Sequence, residues 1–154
     1  MAPRGPGSPD TPADRSEAAS NPRPGHGRRR AARRQAIDLL YQADVTGRPP
    51  SAVLTQWEAA GRRAALYAVD IVSGVEREMD SIDRLLAASS EEWTVPRMAI
   101  VDRTILRVAC HELRSGVPPA VAINEAVQAA NELSTEDSGR FVNGVLGRIA
   151  RDLG

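Results

Sequence analysis

From Arg28 onward, apolar positions recur at intervals of three and four, the spacing of one helix face. Ile37, Leu40, Tyr41 and Val45 share such a face, and the pattern predicts a first helix from about Arg28 to Val45. Gly47 and the Pro49–Pro50 pair end it. Ser51 is a capping residue for a second helix with Val53, Leu54 and Trp57. Tyr67, Ile71, Val75 and Met79 step along one face of a third helix. Asp80 or Ser81 opens a shorter one with Ile82, Leu85 and Leu86, and Ser89 to Glu92 form a polar break.

The C-terminal half is patterned more strongly. Met98, Val101, Ile105 and Val108 form a stripe that Leu106, Ala109 and Leu113 widen, and Gly116, Pro118 and Pro119 stop it. A further helix carries Ile123, Val127 and Ala130 and ends near Leu133. Ser134, Thr135 and Asp137 are cap-type residues before a last helix with Phe141, Val145 and Ile149. Val142-Asn143-Gly144-Val145 has the look of a hairpin turn. The flanking strands are missing and the helical spacing continues through it, so Gly144 and Gly147 are expected to admit a closely packed helix. The pattern gives an all-α chain of six to seven helices with no internal repeat.

Composition agrees. Aromatics make up 3% of the 154 residues, so Ala, Val, Leu and Ile must build the core, which favours helices over sheets. Residues 1–27 are rich in Pro, Gly, Ser and Ala and read as a disordered tail. Two helical subdomains follow, 28–88 and 89–154. No apolar run approaches the roughly 18 residues of a membrane span, and the N-terminus has no signal-type apolar core, so a cytoplasmic location is expected. The single cysteine, Cys110, lies in an apolar helical stretch and reads as an inert, reduced core thiol.

No catalytic or metal-binding chemistry stands out, and no cofactor is expected. His26 and His111 lie outside any metal-ligand pattern, and there is no strand to carry a glycine-rich phosphate loop. His111, Glu112 and Cys110 are adjacent in sequence, but neighbours on a helix diverge by about 100° and cannot form a nucleophile pair. His111 reads as structural, and the chain as a non-enzyme.

The zero net charge conceals an asymmetry. Residues 28–34 hold five arginines and no acid, whereas residues 35–154 hold 12 arginines and 17 acids. Arg29, Arg30, Arg33 and Arg34 are related by three and four and share one helical face. Four guanidinium groups on one face repel one another unless a polyanion is near. Nucleic acid is favoured over a merely solvated helix start. It is also favoured over a membrane-surface helix, because the opposite face is needed for the core.

The run Arg28-Arg29-Arg30-Ala31-Ala32-Arg33-Arg34-Gln35-Ala36-Ile37-Asp38-Leu39-Leu40-Tyr41 resembles the opening of the bacterial transcription antitermination factor NusB family. The resemblance continues at residues 101–109 (VDRTILRVA), 121–127 (VAINEAV) and 134–146 (STEDSGRFVNGVL), and it covers about residues 28–151 in order. It implies a bundle in two three-helix-bundle-like halves. It implies binding to the boxA element of ribosomal RNA transcripts together with NusE, a small-subunit ribosomal protein, within an RNA polymerase complex that suppresses premature termination. Some members self-associate, so a homodimer is a further expected partner. By position, Arg29, Arg30, Arg33, Arg34 and Tyr41 inherit one RNA-binding patch, and Asp137, Arg140 and Phe141 a second.

The residues themselves leave alternatives. Phe141 fits the core stripe as well as a stacking role beside Arg140. Asp137 can cap the last helix or accept from a base amino group. Tyr41 can divide between core and contact, and Asn124 and Asn143 are expected to satisfy buried backbone groups. Two other functions compete: an RNA-binding domain of a ribosomal RNA cytosine methyltransferase, and a helical protein-interaction bundle. A chain reaching only Gly154 favours the free factor over the methyltransferase.

Overall fold

The computed structural model describes residues 26–153, so the tail expected over residues 1–27 lies almost wholly outside the described residues. Those described residues form six α-helices and one 3-10 turn, with no strand. The helices are α1 (His26–Thr46), α2 (Pro50–Ala59), α3 (Leu66–Ser89), α4 (Ile100–Arg114), α5 (Pro119–Leu133) and α6 (Glu136–Leu153), with the 3-10 turn at Val95–Arg97. The chain divides after Ala31 into two units. In the first, Arg28 and Arg29 are exposed and Arg30 is half-buried, all within the opening turns of α1.

The second unit, from Ala32 onward, holds the core. Pro50 stands at the first position of α2, where its missing N–H costs nothing, so Pro49 rather than Ser51 takes the cap position. Ser51 instead binds Glu76, through its N–H at 2.9 Å and its hydroxyl at 3.2 Å. The break expected at Asp80 or Ser81 does not occur. Ile71, Val75, Ile82 and Leu86 continue one buried face, and α3 runs unbroken to Ser89. Gly47 and Gly116 turn the chain at φ of 70° and 96°.

Buried residues from all six helices join in one cluster. α5 packs on α6, and α4 packs on α3, α5 and α6. The glycines that permit close approach are not Gly144 and Gly147. A Cβ at Gly144 would meet nothing within 4 Å, and one at Gly147 only the tip of Arg151. A Cβ at Gly74 would fall 2.0 Å from the His111 ring, so Gly74 on α3 makes room for His111 on α4. Cys110 is buried, and desolvation pushes its thiol up to about 12, which keeps it protonated and inert. Asn124 and Asn143 are exposed, contrary to the expectation that they satisfy buried groups.

α1 is locked to α3 and α4 by a chain of charges. Arg103 grips Asp44 at 2.7 and 2.8 Å, and Arg107 reaches Asp44 at 3.2 Å while holding Asp83 at 2.8 and 2.9 Å. The hydrogen bond from Arg103, more than any other cause, holds the Asp44 carboxyl below its ordinary range.

Candidate nucleic-acid interface

One arginine of the α1 face, Arg33, does not stay on the surface. The buried apolar positions of α1 are Ala32, Ala36, Ile37, Leu39, Leu40 and Ala43, while Tyr41 is 42% exposed and Val45 is exposed. Arg33 lies four before Ile37 and seven before Leu40, so it points into the core with them. It is 5% exposed. Its Nε donates to both oxygens of Glu112, at 2.8 and 2.9 Å, and a second guanidinium nitrogen lies 4.0 Å from Glu125. The Tyr67 hydroxyl donates to Glu112, and the Tyr67 ring lies 5.8 Å from the Arg33 guanidinium carbon. Sequence reasoning set Arg33 among the RNA contacts, and the structure sets it among buried acids.

Arg34, one residue on, turns outward and binds Glu132 at 2.8 Å on the partly exposed surface. It borders a hollow with Ile37, Tyr41, Ala99, Val101 and Leu133. A cation and a tyrosine ring therefore border the same hollow, whose remaining walls are largely apolar.

The second patch forms at the start of α6. Thr135 is its cap: its hydroxyl accepts the Ser138 N–H at 3.0 Å. Asp137 is thereby relieved of capping. It lies in the first turn, where the helix dipole favours an acid, and pairs with Arg140 in full exposure. Phe141 is half-buried, one part packed on the core. It borders a hollow of about 710 Å³ with Trp93, Arg97, Asp102 and Arg140. Ala99 borders both hollows, so they are neighbours on the second unit.

Trp93 and Arg97 were not singled out in the sequence. They fall in the irregular stretch between α3 and α4, where periodicity says nothing about which side chains face the solvent. The only signal was a tryptophan outside any helical stripe. Its backbone is held by Ser90, whose hydroxyl donates to the Trp93 carbonyl at 2.7 Å and accepts the Trp93 N–H at 3.3 Å.

Asp102 lies in the floor of the Phe141 hollow. One carboxylate oxygen accepts from the Ser138 hydroxyl at 3.2 Å, and the other has no partner. Burial pushes its carboxyl above the ordinary range, and the Ser138 hydrogen bond only partly offsets this. The folded protein therefore holds this proton more tightly than the unfolded chain. The resulting stability is full below the unfolded value of about 4 and is lost as pH rises through the raised folded value. Asp44, with its lowered value, acts with the opposite sign: its contribution is present above about 4 and fades in acid. Asp102→Asn should consequently melt higher than the unsubstituted protein at pH 7, with the difference shrinking towards pH 4. Melts across that range test this, and a lower melting temperature for the variant at pH 7 would count against it.

No helix among the described residues is long and apolar enough to cross a membrane. The NusB family model matches residues 30–151. Two relatives, each named transcription antitermination protein NusB, come from Rubrobacter xylanophilus and Salinispora tropica. The first is 48% identical over 120 residues, covering 77% of this chain and 86% of the relative. The second is 46% identical over 128 residues, covering 79% and 94%. A solved structure of the antitermination factors NusB and NusE with double-stranded RNA superposes with a TM-score of 0.73 at 26% identity, covering 82% of this chain and 98% of that one. Thermotoga maritima NusB superposes with a TM-score of 0.69 at 31% identity, covering 80% and 91%. With the six helices among the described residues, these matches make the chain a member of the NusB family.

Proposed function

We propose that this chain is a transcription antitermination factor, working in the cytoplasm, that binds the boxA element of ribosomal RNA transcripts together with NusE. In that complex it helps RNA polymerase read through terminators. The observation that carries the reading is the pair of neighbouring hollows on the second unit, one bordered by Arg34 and Tyr41 and the other by Arg140 and Phe141. Each is bordered by a cation and an aromatic ring, which suits the phosphates and unstacked bases of single-stranded RNA. Arg29 and Arg30, in the opening turns of α1, supply further phosphate contacts. Arg33 is assigned to the core instead. Asp137 is released from capping and is placed to accept from a base amino group once Arg140 turns to a phosphate.

Four phosphate contacts, from Arg29, Arg30, Arg34 and Arg140, imply that log K falls with log salt with a slope of roughly −3 for a single strand. Arg34→Ala and Arg140→Ala should each weaken binding and flatten that slope by about 0.7, with little change in melting temperature. Titration with boxA-like RNA, scrambled RNA and a duplex, alone and with NusE, tests the whole reading. Binding no tighter to boxA than to the scrambled strand under both conditions sinks it.

A further inference from the structure

Trp93 and Arg97 carry no assignment so far, yet they share a hollow with Arg140 and Phe141. Trp93 is 47% exposed, unusual for so large an apolar side chain, and its backbone is clamped by Ser90 rather than free to fold inward. Arg97 closes the 3-10 turn and is exposed. The acids around the same hollow are Glu92 and Asp137 on the rim and Asp102 in the floor, with one oxygen lacking a partner. A cavity with two aromatic rings, two guanidinium groups and three carboxyls suits neither a plain hydrocarbon nor a naked phosphate. The rings want a flat π-face, the arginines an anion, and the carboxyls a hydrogen-bond donor. An unstacked nucleobase bearing an exocyclic amino group, on its own phosphate backbone, offers all three.

We infer that this hollow is a pocket for one amino-bearing base of a single-stranded RNA, in which Trp93 stacks on the base and Arg97 holds an adjoining phosphate. The inference rests on the RNA-binding reading above and extends it to residues outside both arginine-aromatic patches. Uracil, whose one base donor is its ring N3–H, answers a single carboxyl oxygen and is disfavoured against bases whose amino group carries two N–H donors. Adenine, cytosine and guanine each supply a donor to them.

The test uses the full chain and short single-stranded oligonucleotides, one oligouridine and others in which a single position carries adenine, cytosine or guanine. The chain has two tryptophans, and Trp57 is buried with its indole N–H donated to Gln42 at 2.9 Å. Fluorescence quenching by RNA should therefore come from Trp93 and disappear in Trp93→Phe, which retains much of the affinity. Trp93→Ala should weaken binding roughly five- to hundredfold, the span of one base–aromatic stack. Arg97→Ala should flatten the salt slope by about 0.7. Both variants should keep the melting temperature, since both side chains are exposed. Unchanged affinity in Trp93→Ala, while Arg140→Ala binds weakly, overturns the pocket and leaves the broader reading standing. Unchanged affinity in both variants removes both. Equal affinity for oligouridine and the amino-bearing strands overturns the base preference. Quenching by NusE without RNA would give the hollow to a protein and overturn the assignment.

Discussion

Arg33→Ala should destabilise the fold by about 3–5 kcal/mol, the cost of removing one partner from a buried ion pair. Glu112 is fully buried and takes both hydrogen bonds from Arg33 Nε, and Glu125 is buried 4.0 Å from the same guanidinium. Without Arg33 the buried Glu112 loses its ion pair, and the Tyr67 hydroxyl gives it a hydrogen bond but no charge. For a domain of this size the melting temperature should fall by on the order of 10 °C. Arg33→Lys should fall in between, because an ammonium keeps the charge but cannot reproduce the planar grip. Arg34→Ala, next in sequence, is the control: its bond to Glu132 is at the partly exposed surface and contributes at most about 1 kcal/mol. Urea or thermal unfolding of the three variants decides the matter. If Arg33→Ala melts like the unsubstituted protein and loses RNA affinity, the guanidinium belongs to the RNA surface after all.

Val145→Asp should prevent α6 from docking, with a loss above about 4 kcal/mol, because a carboxylate would enter the core without a partner. Val145 is buried on the face that also carries Val142 and Ile149, and α6 packs on α4 and α5. The neighbouring Gly144 should behave in the opposite way. It is exposed, helical and open around its Cα, so Gly144→Ala gains helix propensity of about 0.5–1 kcal/mol and meets nothing. Adjacent substitutions with opposite signs test the helix phase more sharply than either alone. A soluble, fully helical Val145→Asp protein, or a destabilised Gly144→Ala, would show α6 to be rotated from the orientation described.

The helices α4, α5 and α6 were legible in the sequence because their apolar stripes are dense and their ends are marked by Gly116, Pro118, Pro119 and the Ser134–Thr135 pair. The single helix α3 was harder, since Asp80 and Ser81 have the chemistry of a helix start. Residues Ile82 and Leu86 continue its buried face, and that packing outweighs the local signal. Ser134, Thr135 and Asp137 were all candidates for the cap of α6, and the structure chose Thr135, whose hydroxyl accepts the Ser138 N–H.

The patches themselves were partly legible. Arg34, Tyr41, Arg140 and Phe141 were named from their motifs, and the structure sets each on the rim of a hollow. Trp93 and Arg97 were not named, because a stretch without a period has no readable inside and outside.

The spacing of Arg29, Arg30, Arg33 and Arg34 established by itself that these residues fall on neighbouring rows of one helix, and the motifs along the chain established the family. Which row turns inward was beyond that spacing. Steps of three and four that join arginine to arginine also join Arg33 to Ile37 and Leu40, so a cationic face and a core face are the same line continued. Only Glu112 and Glu125, brought from α4 and α5 by the tertiary fold, make burial of Arg33 affordable and leave Arg34 outside.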